Sequence, residues 1–327
     1  MNQIKTLKIG TRGSKLALWQ AHHVQSLINH HWPDITTEIV TILTSGDWSP
    51  SDGEKRLSER KGGKAQFAKE IEENLLDGRI DIAVHSMKDM DSILPDGLQI
   101  ACILPREDPR DSVLLRHRGK MDADPKSWPE GITIGTASIR RQAMILARNP
   151  SLKTTVLRGN VGTRISKLRG ELANDFPEME ATFLAAAGLN RLEMTSEIDH
   201  IVPEDVMLPA AAQGAIGIEI ASDHAQDLTP VLVPLNCKQT QQCITAERAV
   251  LRALNGSCRT PIGIYATFGD DSAMTLRAHL LTPDGQMDFK HQDKAVITSL
   301  DEAETFGRNI GDHILRSAPE ALLKAAL

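Results

Sequence analysis

An acidic residue follows an apolar run in the stretch Arg79–Asp91. Ile80, Ile82 and Val84 alternate with smaller or polar residues, which predicts a buried strand that begins near Ile80. In an open α/β sheet, ligands bind at the carboxyl ends of the strands. Asp89 lies just beyond this predicted end and is therefore a candidate for chemistry. The alternative is that it only caps a helix or pairs with neighbouring charges on the surface.

Basic residues occupy a similar place elsewhere in the chain, because they follow glycine and small polar residues at predicted strand ends or helix starts. They are Arg12, Lys64, Arg140, Arg141, Arg158, Arg164 and Arg191. A single arginine after a strand is usually a solvated surface residue. Here seven cations lie at equivalent places, after a strand or at the start of a helix, in a chain of net charge −6. This arrangement indicates a pocket for a polyanion. Ser14 is predicted to cap the first helix and to leave N–H groups beside Arg12 that favour an anion.

Cys258 lies in a loop bounded by glycine and proline, Asn255–Gly263, next to Arg259. That setting predicts an accessible thiol whose thiolate form is favoured, as in a reactive or modified cysteine. Free cysteines are more often small buried hydrophobes, which is the interpretation for the remaining three, Cys102, Cys237 and Cys243. The four cysteines show no C-x-x-C pair and no histidine spacing, so neither a disulfide framework nor a metal centre is indicated.

Composition limits the class of protein. With 327 residues the chain exceeds the size of one growing core, so two or three domains are expected. The balance of 37 basic and 43 acidic residues argues against a nucleic-acid binder. The first six residues lack the apolar segment of a signal peptide, and the sequence has no run of about 18 apolar residues. A soluble, cytoplasmic protein that does not bind membranes is therefore expected.

The order of predicted elements is that of an α/β protein with two similar lobes. Ile9-Gly10-Thr11 and Ile134-Gly135-Thr136 each precede a helical pattern, and this repeat indicates two lobes facing one cleft. The predicted strands of these lobes are Leu7–Ile9, Ile35–Leu43, Ile80–Val84, Ile132–Ile134, Thr155–Leu157, Phe183–Ala187 and Ile216–Ile220. Residues 46–63 are predicted to form a mobile loop, either a lid over the cleft or a plain surface loop.

Two segments are suited to cross between the lobes: Leu104–Arg110, which proline punctuates, and the small-residue segment Pro209–Gly214. The chain from about residue 233 is predicted to be a separate α+β unit. Its predicted elements are a helix Thr245–Leu254, strands Ile264–Phe268, Thr275–Leu281 and Met287–Lys290, and a final helix after Asp301. The expected domains are residues 1–105 with 211–232, residues 106–210, and residues 233–327.

Several motifs together resemble the porphobilinogen deaminase family, also called hydroxymethylbilane synthase. They run in the family's order from residue 9 to about 263. The motifs are Thr11–Ser14 with Leu16–Ala21, Gly62–Lys64 with Phe67, Asp81–Asp89, Arg106–Asp111, Arg140–Gln142, Leu157–Arg164, Ala187–Leu189, Gln213–Ala215, Ala246–Arg248 and Gly256–Cys258. The resemblance implies two lobes with mixed sheets, similar to type II periplasmic binding proteins. It further implies a C-terminal α+β domain with a three-stranded antiparallel sheet.

The resemblance also implies an activity. In this family a dipyrromethane cofactor is bound through a thioether to the residue matching Cys258. Four porphobilinogen molecules are added to this cofactor, each with loss of ammonia, and hydrolysis then releases the linear tetrapyrrole. Asp89 matches the catalytic aspartate, which stabilises the cationic intermediate and moves protons. The cofactor-binding set is Cys258, Ser14, Lys64, Asp89, Arg140, Arg141 and Arg158. The substrate-binding set is Arg12, Arg158, Arg164, Arg191 and Gln213. No metal and no partner other than the small substrate is implied, and a monomer is expected.

The sequence departs from the family pattern after Asp89. Met90-Asp91 stands where Val-Pro is usual, and Asp91 adds a negative charge that would raise the pKa of a nearby carboxyl group. The segment Arg169–Glu180 is longer than expected, and Glu180-Ala181-Thr182 replaces a common Asp-Ala pair. A second hypothesis remains open, in which the same two-lobed cleft belongs to a non-catalytic protein that binds a small carboxylate or oxyanion.

Overall fold

The structure is a computed structural model that describes residues 4–44, 68–172 and 176–327. Its described residues form three sheets, each with its own hydrophobic core. Among these residues, no helix combines the length and the hydrophobicity that a membrane crossing requires.

The first sheet has the order β2-β1-β3-β10-β4. Its strands are β1 Thr6–Arg12, β2 Thr36–Ile42, β3 Ile82–Ser86, β4 Leu98–Ile103 and β10 Ile216–Ala221. The helices of this lobe are α1 Lys15–His31, α2 Lys69–Leu76 and α6 Ala225–Leu232. β1 runs parallel to β2 and β3, whereas β10 is antiparallel to β3 and β4. The spacing of Ala17, Ala21, Val24 and Ile28 by four, three and four residues predicts one apolar stripe along α1. The structure confirms it, since Ala21, Val24 and Ile28 are fully buried.

The second sheet repeats this arrangement in the order β7-β6-β8-β5-β9. Its strands are β5 Asp111–Leu115, β6 Thr133–Gly135, β7 Lys153–Thr155, β8 Ala181–Ala185 and β9 His200–Ile201. The helices are α3 Ile139–Arg148, α4 Val161–Arg169 and α5 Ala186–Arg191. β6 has parallel neighbours, as β1 does, and β5 is antiparallel to β8 and β9. The Ile-Gly-Thr repeat thus lies on equivalent strands, and each following helix is capped by a serine, Ser14 or Ser138. The prediction of two similar lobes is confirmed.

The third sheet is antiparallel with the order β11-β12-β13. Its strands are β11 Ile262–Phe268, β12 Ala273–Leu281 and β13 Asp288–Val296, and its helices are α7 Lys238–Ala253, α8 Leu300–Ser317 and α9 Glu320–Ala326. Apolar side chains of β11 and β12 and of α7 and α8 share one core. The expected α+β unit with three antiparallel strands is confirmed. The predicted final helix is two helices separated at Pro319. The first helix begins seven residues before the predicted Thr245, and the sequence pattern missed this start because Lys238–Gln242 carry no apolar stripe.

Other predicted boundaries are wrong. β1 continues to Arg12, so Arg12 ends a strand instead of lying in a loop. The strand predicted at Thr155–Leu157 is Lys153–Thr155, because Gly135 pairs with Thr155 and Leu157 then packs over Gly135. The strand predicted at Phe183–Ala187 ends at Ala185, and α5 begins at the next residue.

The two segments predicted to cross between the lobes run side by side. The backbone N–H of Glu107 donates to the carbonyl oxygen of Gly214 at 3.2 Å, and that of Leu104 donates to Ile216 at 3.0 Å. Gly214 has φ +89°, and a Cβ added there would lie 2.4 Å from the carbonyl oxygen of Glu107. Only glycine allows both that conformation and that approach. The two crossings therefore form one paired hinge.

A buried carboxylate joins this hinge to the C-terminal domain. Glu247 on α7 is completely buried and accepts hydrogen bonds from both terminal nitrogens of Arg106, at 2.6 and 3.1 Å. It also accepts from the backbone N–H of Ala212, at 2.6 Å, and of Ala266, at 2.8 Å. One side chain thereby ties the first crossing, the second crossing and β11 to α7.

Candidate functional site

Asp89 ends a single 3₁₀ turn, Met87–Asp89, that directly follows β3. Met87 is buried and packs on Gly217 of β10, where an added Cβ would lie 2.0 Å from the methionine sulfur. Met90 on the other side of Asp89 is also buried, in a cluster with Ile244 of α7. The turn is therefore anchored on both sides while Asp89 itself is exposed.

An open cavity of about 80 Å³ lies beside Asp89 in the first lobe. It is lined by the end of β1, the start of α1, the end of β3 with the turn that follows it, and the residue immediately before α2. The lining residues are Arg12, Ser14, Leu16, Ala17, Gln20, Ala68, Val84, His85, Ser86, Asp89 and Met90. The structure thus brings together Arg12, Ser14 and Asp89 of the predicted site. Ser14 also caps α1 as predicted, since its hydroxyl oxygen accepts from the N–H of Ala17 at 3.2 Å.

A second group of predicted residues converges on Asp111, which is completely buried at the start of β5. Arg140 donates to one carboxylate oxygen of Asp111 at 2.7 Å, and Arg141 donates twice to the other at 2.7 and 3.1 Å. Gln213 donates to that second oxygen at 3.0 Å and accepts from the ammonium group of Lys88 at 3.4 Å. The network therefore connects the residue before Asp89 with the two arginines that start α3 in the other lobe.

Charge and burial set the ionisation of this network. Burial by itself would raise the pKa of Asp111, but the charges and hydrogen bonds of Arg140 and Arg141 outweigh it and hold that pKa well below its usual range. Burial lowers the pKa of Lys88 to about 8, although the carboxylate of Asp89 opposes the shift. Burial also lowers the pKa of Arg140, against the charge of Asp111. At neutral pH the network is a cationic cluster of three basic groups around one carboxylate.

Arg158 lies in the tight loop between β7 and α4, and Arg164 lies in the first turn of α4. Arg158 is buried, and its carbonyl oxygen accepts from the ammonium group of Lys167 at 3.0 Å. The Nε of Arg164 donates to the carbonyl oxygen of Gly159 at 2.7 Å. Asn160 caps α4 by accepting from the N–H of Thr163. The loop that carries Arg158 is thus fixed by its own helix, and neither arginine is among the described residues that line the cavity.

Arg191 lies in the seam between the lobes. Its guanidinium group donates to the carbonyl oxygen of Gly214 at 2.7 Å and lies 5.9 Å from the centre of the Trp19 ring on α1. Burial lowers the pKa of Arg191 to about 10, opposed by the charge of Glu107. Among the described residues, Arg191 is not part of the cavity lining, so the predicted cations do not all face one pocket.

Cys258 lies in a turn after α7 and is exposed, as predicted. The prediction that Arg259 would favour its thiolate is wrong. Restricted hydration of the thiol raises its pKa to about 11, and the negative charges of Asp89 and Asp91 add to that shift and outweigh Arg259. The thiol is therefore neutral at pH 7. The same shift shows that Cys258 lies within electrostatic reach of Asp89.

The remaining predicted features have mixed outcomes. Cys102 and Cys243 are buried as predicted, whereas Cys237 is partly exposed. Lys64 and the loop 46–63 lie outside the described residues. Within the described ranges, no group of three or more histidine, cysteine or acidic side chains could hold a metal ion.

Sequence reasoning missed Lys88 and Asp111 as site residues. Lys88 adjoins Asp89 but was not assigned a role. Asp111 closes the motif Arg106–Asp111, and the available signal was an acid at the start of a strand whose last three residues are apolar. Its partners Arg140 and Arg141 lie about thirty residues further along the chain, at a distance that local patterns do not reach.

Comparison with known families gives two matches that together cover most of the chain. Residues 7–229 match the family model "Porphobilinogen deaminase, dipyromethane cofactor binding domain", and residues 241–316 match "Porphobilinogen deaminase, C-terminal domain". Cys258 falls within the second match.

Curated relatives agree with this. The chain is 42% identical over 323 residues to a porphobilinogen deaminase of Neisseria meningitidis serogroup A, covering 99% of this chain and 98% of the relative. It is 40% identical over 321 residues to that of Legionella pneumophila strain Lens, with 98% and 97% covered. Among solved structures it is similar to the periplasmic aliphatic sulphonate binding protein SsuA from Escherichia coli, with a TM-score of 0.40 and 10% identity over 99% of this chain and 92% of that one. We draw no functional conclusion from that last likeness.

Proposed function

Because this chain belongs to the porphobilinogen deaminase family, a family of transferases whose cofactor-binding domain matches residues 7–229, we propose that it performs the complete family reaction. In that reaction four porphobilinogen molecules are condensed head to tail on a dipyrromethane primer, with loss of one ammonia each. The linear product hydroxymethylbilane is then released by hydrolysis. The observation that supports this most strongly is that an exposed thiol and an exposed acid on different domains, Cys258 and Asp89, share one electrostatic environment.

Cys258 is proposed to carry the cofactor as a thioether. The surrounding residues fit an acidic group of this kind. Cys258 is the one exposed cysteine of the chain, and the cationic cluster of Lys88, Arg140 and Arg141 adjoins Asp89. The Nε of Arg140 is buried without an acceptor among the described residues. Its N–H group could therefore donate a hydrogen bond to an anionic group. When bound, the dipyrromethane supplies a nucleophilic pyrrole carbon and carboxylate side chains that require cations.

The basic residues are proposed to hold these carboxylates and those of the substrate. Guanidinium groups bind carboxylates through two parallel N–H donors, and a helix N-terminus adds further donors. The proposed cofactor contacts are Ser14, Lys64, Asp89, Arg140, Arg141 and Arg158, and the proposed substrate contacts are Arg12, Arg158, Arg164, Arg191 and Gln213. Asp111 supports this role because it fixes the orientation of both arginines at the start of α3.

Asp89 is proposed as the catalytic acid–base group. Loss of ammonia leaves positive charge on the substrate, and a fixed carboxylate stabilises that charge without reorganising. The same carboxylate can accept the proton that the pyrrole ring loses when the new carbon–carbon bond has formed. Its anchored turn favours this role, because Met87 and Met90 hold the backbone on both sides of the exposed side chain.

The test begins with intact-protein mass measurement. Wild-type protein from cells that make porphobilinogen should carry a covalent pyrrolic adduct, and Cys258→Ser should carry none. Asp89→Asn should keep the adduct and lose turnover by roughly 10²-fold or more, whereas Asp96→Asn, at an exposed site nearby, should remain active. An unmodified, inactive wild-type chain would instead favour a protein that only binds a small anion.

We also propose three domains, residues 1–105 with 211–232, 106–210 and 233–327, because each sheet lies within one of these ranges. The enzyme is proposed to act as a cytoplasmic monomer on its free small substrate, without nucleic acid or membrane. The net charge of −6 supports the exclusion of nucleic acid. Sedimentation equilibrium of the loaded enzyme tests the monomer.

A further inference from the structure

The backbone immediately after Asp89 is held by two arginines of the C-terminal domain. Arg248 is buried and donates to the carbonyl oxygen of Met90 at 3.5 Å and, through its other terminal nitrogen, to that of Asp91. Arg252 donates to the carbonyl oxygen of Ser92 at 2.8 Å. Three consecutive carbonyl groups are therefore bound by two side chains that lie one turn apart on α7.

Both arginines have further charged partners. The carboxylate of Glu304 on α8 pairs with Arg252 through two nitrogens. Burial lowers the pKa of Arg248 to about 10, and the charge of Arg252 lowers it further against the opposing carboxylates of Glu219, Asp91 and Glu304. Arg248 therefore stays protonated at neutral pH, and its hydrogen bonds to the carbonyl oxygens are charge-assisted.

The same helix determines where the thiol lies. α7 ends at Ala253, and Cys258 follows in the next turn, which internal hydrogen bonds among Ser257, Arg259 and Thr260 close. One rigid helix thus contacts the Asp89 segment through its last two turns and carries Cys258 directly beyond its end. The spacing between the acid and the sulfur is set through α7.

We propose that Arg248 and Arg252 are positioning residues that hold Asp89 at its working distance from the group attached to Cys258. This inference rests on the proposed function and deepens it. Neither arginine needs to touch the substrate, since each acts through the backbone that follows Asp89. Because a misplacement of about 1 Å costs roughly 100-fold in rate, the loss of either contact should appear in kcat and not in substrate binding.

The principal variant is Arg248→Met, which keeps the length and packing of the side chain and removes its donors. Per cofactor-loaded molecule, kcat should fall about 10- to 100-fold, while KM changes less than about 3-fold. Arg248→Lys should give an intermediate kcat, because an ammonium group reaches fewer carbonyl oxygens than the two-pronged guanidinium. The matched control is Arg308→Met, at an exposed arginine of α8, which should retain wild-type kcat.

A double-mutant cycle tests whether the effect passes through Asp89. In single-turnover assays, adding Arg248→Met to Asp89→Asn should lower the rate less than about 3-fold further. Intact mass gives the loaded fraction of every variant, and thermal unfolding shows whether each is folded. If Arg248→Met does not fold, the same rates are measured for Arg248→Lys and for Arg252→Met, with and without Asp89→Asn.

Two failures are distinguishable. A wild-type enzyme without adduct or turnover overturns the proposed function itself. A working wild-type enzyme and an Asp89→Asn variant slowed as expected, together with a folded, loaded Arg248→Met variant at wild-type kcat, overturn only the positioning role. An equal loss from Arg248→Met in the presence and absence of Asp89 overturns it as well.

Discussion

Replacing Glu247 by glutamine tests the buried connection between the hinge and the C-terminal domain. The carboxylate accepts four hydrogen bonds, two on each oxygen, from Arg106 and from the backbone N–H groups of Ala212 and Ala266. A glutamine offers one oxygen, so its NH₂ group would face two donors. The substitution also leaves the guanidinium charge of Arg106 without its counter-charge in a site where Glu247 is fully buried.

Breaking a buried ion pair by removing one partner costs about 3–5 kcal/mol. Unfolding entropy is about 2.1 cal/mol/K per residue, which for 327 residues is about 0.7 kcal/mol/K. The expected fall in Tm of Glu247→Gln is therefore about 4–7 °C. Replacing both partners removes the unpaired charge, so the Arg106→Met/Glu247→Met double variant should be more stable than the sum of its two single variants predicts, by at least about 1 kcal/mol.

Scanning calorimetry of the cofactor-loaded enzyme measures these shifts. The control is Asp271→Asn, which breaks an exposed pair with Lys294 in the same domain and should leave Tm unchanged because exposed pairs contribute little. The reasoning would be refuted by a Glu247→Gln variant whose Tm falls by less than about 1.5 °C. Strict additivity of the stability losses of Arg106→Met and Glu247→Met in the double variant would refute it too.

Two further predictions concern pH. Burial, reinforced by the charge of Glu219, raises the pKa of Glu72 from 4.5 to about 7, so the folded state resists ionisation and stability should fall as pH rises from about 4.5 towards 7. Glu72→Gln should therefore raise Tm more at pH 8 than at pH 5. The control Glu73→Gln, at an exposed position, should raise Tm at neither pH. An equal gain in Tm from Glu72→Gln at both pH values would contradict this. Burial lowers the pKa of Lys88 to about 8, so KM for porphobilinogen should rise above that pH as Lys88 loses its charge. Steady-state kinetics between pH 6.5 and 9.5 would show this rise, and Lys88→Met should remove it. A wild-type KM that is flat across that range speaks against a binding role for Lys88.

Much of the local architecture could be predicted from the sequence. The stripe of α1, the serine caps of α1 and α3, and the repeated Ile-Gly-Thr strands follow from contacts within about four residues of the chain, which a sequence pattern records directly. The exposed thiol of Cys258 and the anchored acid Asp89 were also identified before the fold, from strand ends and from glycine- and proline-bounded loops. The resemblance of the family motifs implies the roles proposed for them.

Only the tertiary structure showed how these groups are held. Asp111 meets Arg140 and Arg141 from 29 and 30 residues away, and Arg248 binds the segment after Asp89 from 158 and 157 residues away. The pKa of Cys258 illustrates the same point. Its sequence neighbour Arg259 predicted a thiolate, but restricted hydration of the thiol and the distant acids Asp89 and Asp91 raise that pKa instead. Periodicity and capping are properties of neighbouring residues, whereas burial and the pairing of charges are decided by which distant elements the fold brings into contact.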